Sequence, residues 1–284
     1  MPEKSSKDFS VSSISCGIVC YDVPTKQLED LFESLSISIE RLLAIHPDIL
    51  VKIYVIDNSI KCTYRSVFEA LTKMQETETI KICYIGGHGN IGYGAAQNLA
   101  ISVLNSDLHL ILNSDVIVSG DSLVEGVKAF CSCPSLAMLS PHAENCLGEK
   151  QFLCKRFPTV MTLLIRGFIP SVFKVLFKKR LDHYEMRDLP ETTLTEGVPL
   201  ISGCFMLSET RVLQSIGGFD ESYFLYFEDF DLSIRMGSLG ILAYSPNVRI
   251  THAGGYAAKK GIFHIGYFLR SGIRFFNTHG WRFW

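Results

Sequence analysis

From Ile14 to Leu139, apolar runs alternate with stretches in which apolar residues recur every three or four positions, the rhythm of repeated β-α units. Ile14–Tyr21, Val51–Asp57, Ile80–Ile85 and Leu108–Leu112 read as buried strands. Between them, Thr25–Ile45 carries Leu28, Leu31, Phe32, Leu35, Ile39, Leu42 and Leu43 on one helical face. Val67, Leu71 and Met74 mark a second helix, and Gly94–Leu104 a third. This order predicts an α/β fold, a mostly parallel sheet with helices on both faces, which binds ligands at the carboxyl ends of its strands. After Pro141 the rhythm breaks. A basic aromatic insertion over 150–184 precedes a second ordered block over 196–255. There Leu200–Leu207 reads as a strand, and Glu209–Ile216 as a short helix closing on Gly217 and Gly218. Asp229–Leu239 reads as a helix closing on Gly240, with Leu232, Met236 and Leu239 on its buried side. The predicted organisation is a polar N-terminus over 1–13, one large domain over 14–255 with halves over 14–140 and 196–255, and a basic amphipathic helical extension over 256–284.

Composition narrows the class. A chain of 284 residues with 47% hydrophobic and 20% charged residues can bury a sizeable core, and is not disordered, collagen-like or multiply membrane-spanning. It holds no run of apolar residues long enough to cross a bilayer. Met1–Ser13 is polar, without an apolar signal core, so a cytosol-facing protein is expected. Nine cysteines, an odd number with no Cys-x-x-Cys pair, read as reduced thiols rather than a disulfide frame or zinc site.

The net charge of -2 conceals segregation. Lys150–Arg180 holds eight bases and no acid, and Lys259–Trp284 five bases and no acid, leaving 14 bases against 29 acids elsewhere. Both stretches are also rich in aromatic and aliphatic residues, which suits an anionic lipid surface. The same pattern suits amphipathic helices that pack on the main domain and keep Lys and Arg in water.

Candidate chemistry sits at the ends of the strands. Tyr21–Asp22 and Asp57–Ser59 can accept hydrogen bonds from a base or ribose, or simply begin turns. The segment Gly86–Asn98 contains Gly87-x-Gly89-x-x-Gly92, the spacing of a dinucleotide turn, but it follows the third strand rather than the first. Asn113 and Asp115 lie two apart at a strand end, where a carboxylate suits a hard divalent cation on a diphosphate or an ordinary turn. Glu228, Asp229 and Asp231 stand among Phe224, Tyr226, Phe227 and Phe230, surroundings that raise a carboxyl pKa toward that of a general base. Asp231 has a simpler reading, pairing with Arg235 one helical turn on. His252 ends a strand before two glycines, as a ligand or as a structural residue.

Taken in order, six stretches resemble the inverting glycosyltransferases of family 2, which have the GT-A fold, and most closely their bacterial rhamnosyltransferase-like branch. They are Tyr54–Ser59, Gly89–Asn98, Leu112–Val116, Gly203–Leu207, Gly217–Leu232 and Thr251–Gly255. The resemblance implies a donor-nucleotide half over 14–140 and an acceptor half over 196–255. Tyr21 and Asp57 would contact the nucleoside, and the turn at Asn90 and Gly92 would line the donor pocket with Asn113. Asp115, helped by His252, would hold a divalent cation, Mg2+ or Mn2+. Asp229, with Glu228 beside it, would be the catalytic base. Asn113 stands where the family's metal motif often has a first Asp. The implied partners are a nucleotide-sugar donor, dTDP-L-rhamnose or a UDP-sugar, a glycan or lipid-linked acceptor, and the cytosolic face of an anionic membrane, with no part for nucleic acid. A silent nucleotide-sugar binding module and a Rossmann oxidoreductase are the alternatives.

Overall fold

The structure, a computed structural model, describes residues 10–253 and 261–284. The first half is built of β1 (Ser13–Cys20), α1 (Thr25–Ile45), β2 (Leu50–Asp57), α2 (Arg65–Gln75), β3 (Ile80–Gly86), α3 (Tyr93–Ile101) and β4 (Leu108–Asn113). There follow β5 (Val116–Val118), α4 (Ser122–Ser132), β6 (Leu136–Glu144), β7 (Lys150–Gln151) and β8 (Cys154–Lys155). The insertion forms α5 (Val160–Phe168), α6 (Ser171–Lys174), a single 3-10 turn (Val175–Phe177) and α7 (Lys178–Tyr184). The remainder comprises β9 (Thr195–Glu196), β10 (Leu200–Ile201), β11 (Phe205–Glu209), α8 (Thr210–Ser215), α9 (Glu228–Gly237), β12 (Ile241–His252) and α10 (Gly261–His279).

The main sheet runs β3-β2-β1-β4-β11-β6-β12-β5. Its first four strands are parallel, β11 runs antiparallel to both neighbours, and β5 antiparallel to β12. Helix α1 buries Leu28, Leu31, Phe32, Leu35, Ile39 and Leu42 against one face, the side its periodicity marks. Leu232 and Met236 of α9 pack with Ile111 and Met206 on the other face. A third apolar cluster joins α5, α9 and α10 through Leu163, Tyr223, Phe227, Phe275 and Phe276. Register brings the strand ends level: Cys20 is partnered by Asp57, Asp57 by Gly86, and Val19 by Asn113. The carboxyl edge of the sheet is thereby one continuous rim.

Several sequence expectations are corrected. The β-α rhythm ends with β6, which runs on through Pro141 to Glu144 before the short β7 and β8; β12 shifts register between Ser245 and Arg249, beside Pro141, where a residue without an N–H can be accommodated. The expected strand Leu200–Leu207 is broken: β10 pairs with β8, β11 joins the main sheet, and Ser202–Cys204 between them turns toward the site. Gly217 and Gly218 close α8 at positive φ, but Gly240 does not adopt that conformation. A Cβ on Gly240 would stand 2.8 Å from that of Ala137, so close packing is what requires glycine there. Leu239 is exposed, leaving Leu232 and Met236 as the buried side of α9. All nine cysteines are free.

Candidate active site

Asp57 ends β2 with both carboxylate oxygens engaged. Oδ1 accepts from the Ser59 N–H (3.0 Å) and hydroxyl (2.6 Å), and Oδ2 from the Tyr64 N–H (2.9 Å) and the Tyr84 hydroxyl (2.7 Å). Burial pushes its pKa up, but these bonds outweigh burial and hold it below the usual value. The residue has no exposed surface, so a nucleoside would reach the carboxylate only after Ser59 or Tyr84 moves aside. Tyr21, one residue beyond β1 on the same rim, is exposed.

The glycine turn is held from the end of β2, by one of the short polar residues read there as turn or ligand contacts. Asn58 donates through Nδ2 to Asn90 Oδ1 (3.2 Å) and the Gly92 carbonyl (3.3 Å), and accepts the Ile91 N–H (3.2 Å). Gly92 has φ 94°, and a Cβ there would lie 2.7 Å from the Phe224 carbonyl oxygen. The Tyr93 N–H donates to that same oxygen at 3.1 Å. Glycine at 92 therefore lets the turn abut the segment that leads into α9.

That segment carries Glu228 and Asp229 at the first turn of α9, after two non-glycine residues in left-handed conformation, Tyr226 (φ 70°) and Phe227 (φ 65°). Two such residues in a row cost about 1–3 kcal/mol each and persist only where their surroundings over-determine them. Here α10 imposes them. The Tyr226 hydroxyl pairs with His264 Nδ1 (2.9 Å), Ser271 Oγ donates to the Leu225 carbonyl (2.8 Å), and the Phe227 ring packs on Phe268 and Phe275 at 5.1 and 5.3 Å. Asp231 is buried and structural, bonded to Arg235 (2.7 Å) and His279 (2.8 Å).

Asp229 Oδ2 accepts the Gly203 N–H at 2.9 Å, and Oδ1 the Phe230 N–H at 2.9 Å. Burial raises its pKa against these bonds. Burial first, and then the charge of Asp229, raise Glu228 further; its Oε2 is buried without a hydrogen-bond partner. Tyr93 closes the floor, its hydroxyl donating to the Gly203 carbonyl at 3.3 Å. Only the broken strand at Ser202–Cys204 brings Gly203 to Asp229, a contact without a sequence signature.

Asp115 and His252 lie 137 positions apart in the chain and meet in space. Asp115 Oδ2 is 3.4 Å from His252 Nε2, because His252 in β12 pairs with Val116 in β5. Gln151 of β7 bonds the other side of the ring: its Oε1 lies 2.7 Å from Nδ1 and its Nε2 donates to the His252 carbonyl at 3.1 Å. Asn113 follows on the rim, its N–H donating to the Cys204 carbonyl at 2.9 Å. Cys204 ties the two acidic centres together. Burial holds its thiol far above the ordinary value, and the charges of both Asp115 and Asp229 add to that effect. Among the described residues no three His, Cys, Asp or Glu side chains cluster as a metal cage.

The model of the family described as Glycosyltransferase like family 2 matches residues 15–260. The chain belongs to this family. Among curated relatives of this glycosyltransferase family member, the N-acetylglucosaminyl-diphospho-decaprenol L-rhamnosyltransferase of Mycobacterium tuberculosis is 28% identical over 182 residues, covering 57% of this chain and 56% of the relative. Rhamnosyltransferase WbbL of Escherichia coli K12 is 26% identical over 178 residues, covering 60% and 63% respectively. The chain thus matches little more than half the length of these relatives. Among solved structures, GalNAc-T7 with UDP, GalNAc and Mn2+ superposes with a TM-score of 0.60 at 14% identity, over 85% of this chain and 43% of that one. That likeness is one of fold, the GT-A arrangement.

Proposed function

We propose that this chain is an inverting glycosyltransferase that moves a sugar from a nucleotide diphosphate to a hydroxyl of a glycan or lipid-linked acceptor, L-rhamnose from dTDP-L-rhamnose being the favoured donor. The observation that carries the reading is Asp229, a half-buried carboxylate of raised pKa oriented by the Gly203 N–H, next to Cys204, whose thiol feels the charges of both Asp229 and Asp115, the partner of His252. Asp229 accepts the proton of the acceptor hydroxyl as that oxygen bonds the anomeric carbon. The bond from that carbon to the diphosphate oxygen breaks on the opposite side, so configuration inverts. Asp115 and His252 offer one carboxylate oxygen and one imidazole nitrogen, a donor set that fits Mg2+ or Mn2+ with the remaining positions left to diphosphate oxygens. Asp115 and His252 would hold such a cation, which when bound would supply charge neutralisation to the departing diphosphate.

The rhamnose assignment is supported by the names of both curated relatives, and the decaprenol in one of them supports a lipid-linked acceptor. No helix among the described residues is long and apolar enough to cross a membrane. In this reading the protein meets such an acceptor peripherally, from the cytosolic side. A thermal-shift screen of dTDP-L-rhamnose, UDP-sugars and nicotinamide dinucleotides, each with Mn2+ or with chelator, tests the reading, since a ligand bound by the folded state raises its stability. Stabilisation by a nucleotide sugar with metal, followed by its turnover, is the expected result. Stabilisation by a dinucleotide alone, or donor binding without turnover, overturns it.

A further inference from the structure

Five of the eight bases between Lys150 and Arg180 are occupied by the protein itself. Lys150 pairs with Glu191 (3.0 Å), Arg156 with Asp188 (2.7 Å) and Arg166 with Glu185 (3.9 Å), while Arg180 lies 4.1 Å over the Trp284 ring. Lys155 is buried, which lowers its pKa to about 8. Little of the basic charge read from the sequence therefore faces a partner. What does face outward is apolar. Along α6 and the 3-10 turn, Val172, Phe173, Val175 and Leu176 are 71, 56, 72 and 79% exposed. Single exposed apolar residues are ordinary, but four within five consecutive positions form a patch that demands a partner.

The remaining bases rim this patch. Lys174 lies within it, and its ammonium turns back to the Arg166 carbonyl (2.7 Å). Lys178 and Lys179 follow it, exposed and without an ion pair among the described residues. A short apolar projection, bordered by lysines on a stretch that carries no acid, matches an anionic lipid interface: apolar groups enter the acyl boundary and ammonium groups stay with the headgroups. We propose that the segment Val172–Lys179 is a monotopic anchor that inserts its apolar side chains into an anionic membrane surface. The proposal rests on, and sharpens, the reading that the acceptor is presented at a membrane. It also changes the character of the attachment from electrostatic to chiefly hydrophobic, because most bases are already engaged.

The test uses the full chain and sedimentation with vesicles of equal parts phosphatidylglycerol and phosphatidylcholine, against phosphatidylcholine alone. Wild type is expected to pellet with the anionic vesicles and to stay largely bound as salt rises. The double variant Phe173→Ser/Leu176→Ser should lose vesicle partition by on the order of tenfold or more. Lys178→Glu/Lys179→Glu should lose only several-fold, and mainly at low salt. Hydrolysis of free nucleotide sugar is measured on the same samples and should be unchanged in both variants. Failure of wild type to bind anionic vesicles, or equal binding by the Phe173→Ser/Leu176→Ser variant, overturns the anchor. Light scattering adds one arm: a wild-type oligomer that the serine variant dissociates, without vesicle binding, makes this face a contact between copies and also overturns it. Vesicle binding that follows the apolar residues in a protein with no nucleotide-sugar turnover would uphold the anchor and remove the catalytic reading instead.

Discussion

Gln151 holds His252 by ring and backbone at once, and thereby decides which ring nitrogen faces Asp115. A carbonyl oxygen only accepts, so the amide NH2 must be the group facing the His252 carbonyl, and Oε1 must be the one facing Nδ1. Nδ1 therefore carries a hydrogen, and in the neutral ring Nε2 presents a lone pair toward Asp115 Oδ2. Two electron-donating atoms 3.4 Å apart are what a cation site supplies.

Gln151→Leu removes this control without touching Asp115 or His252. Donor affinity in Mn2+ is expected to fall about 10- to 100-fold, the usual worth of a group that orients a metal-binding His, while affinity in chelator stays as in wild type. Isothermal titration in the two buffers checks this. Equal losses in both would make Gln151 a packing residue of β7.

Asp115→Ala should act in the same direction and more strongly, with His252→Ala milder, since a carboxylate provides charge as well as a ligand. Wild-type donor affinity that is indifferent to chelator would count against any role for the pair in holding a cation.

Asp229→Asn keeps shape and loses basicity. Turnover should fall by on the order of 10² to 10⁴ with donor binding within a few-fold of wild type. Because burial raises the Asp229 pKa, wild-type turnover should decline as pH drops through that raised value. Near-normal turnover in Asp229→Asn would move the proton transfer to Glu228.

Glu228 links pH to stability. Its folded pKa is raised, so the native state keeps a proton that the unfolded chain releases, and unfolding free energy falls as pH climbs from the ordinary glutamate value of 4.5 toward the raised one. Melting temperature should drop between mildly acidic and mildly alkaline buffer, and Glu228→Gln should flatten that slope. Parallel slopes for the two proteins would assign the dependence elsewhere.

Phe275→Ala should cost about 3–5 kcal/mol of stability, as expected for a fully buried aromatic. It should also lower turnover at temperatures where the protein remains folded, since Phe275 supports the left-handed Phe227 next to Glu228 and Asp229. Circular dichroism melts alongside donor hydrolysis separate the two effects, and full activity in a folded variant would show that the turn holds itself.

The parallel strands and α1 were legible because burial on both sides makes their apolar runs long and their helical face regular. Asp115, His252, Glu228 and Asp229 were legible as polar residues at strand ends or in apolar surroundings. Gln151 was not, because a lone amide has no periodicity and acts only through a partner brought to it by folding; Asn58 was legible as a polar residue at a strand end, but its hold on the glycine turn was not. Gly203 was hidden for a related reason: Leu200–Leu207 is apolar enough to read as one strand, and only the competing pairings of β10 and β11 break it. The basic extension read as a lipid-facing element has another occupation, with His264, Ser271, Phe275 and His279 all bonded to or packed on the approach to α9. Truncation before Gly261 would therefore remove support for the turn into α9 along with any surface contact.

The support that α10 gives to Tyr226 and Phe227 also fixes a schedule for biogenesis. The sheet, the glycine turn and the Asp115–His252 pair are all encoded upstream of α10 and can assemble as the chain leaves the ribosome. The left-handed turn before Glu228 has upstream neighbours in Tyr93 and Leu163, but the α10 residues that hold Tyr226 and Leu225 are translated about 40 positions later. The conformation of the turn that leads into Glu228 and Asp229 is thus completed only when the last helix of the chain is present.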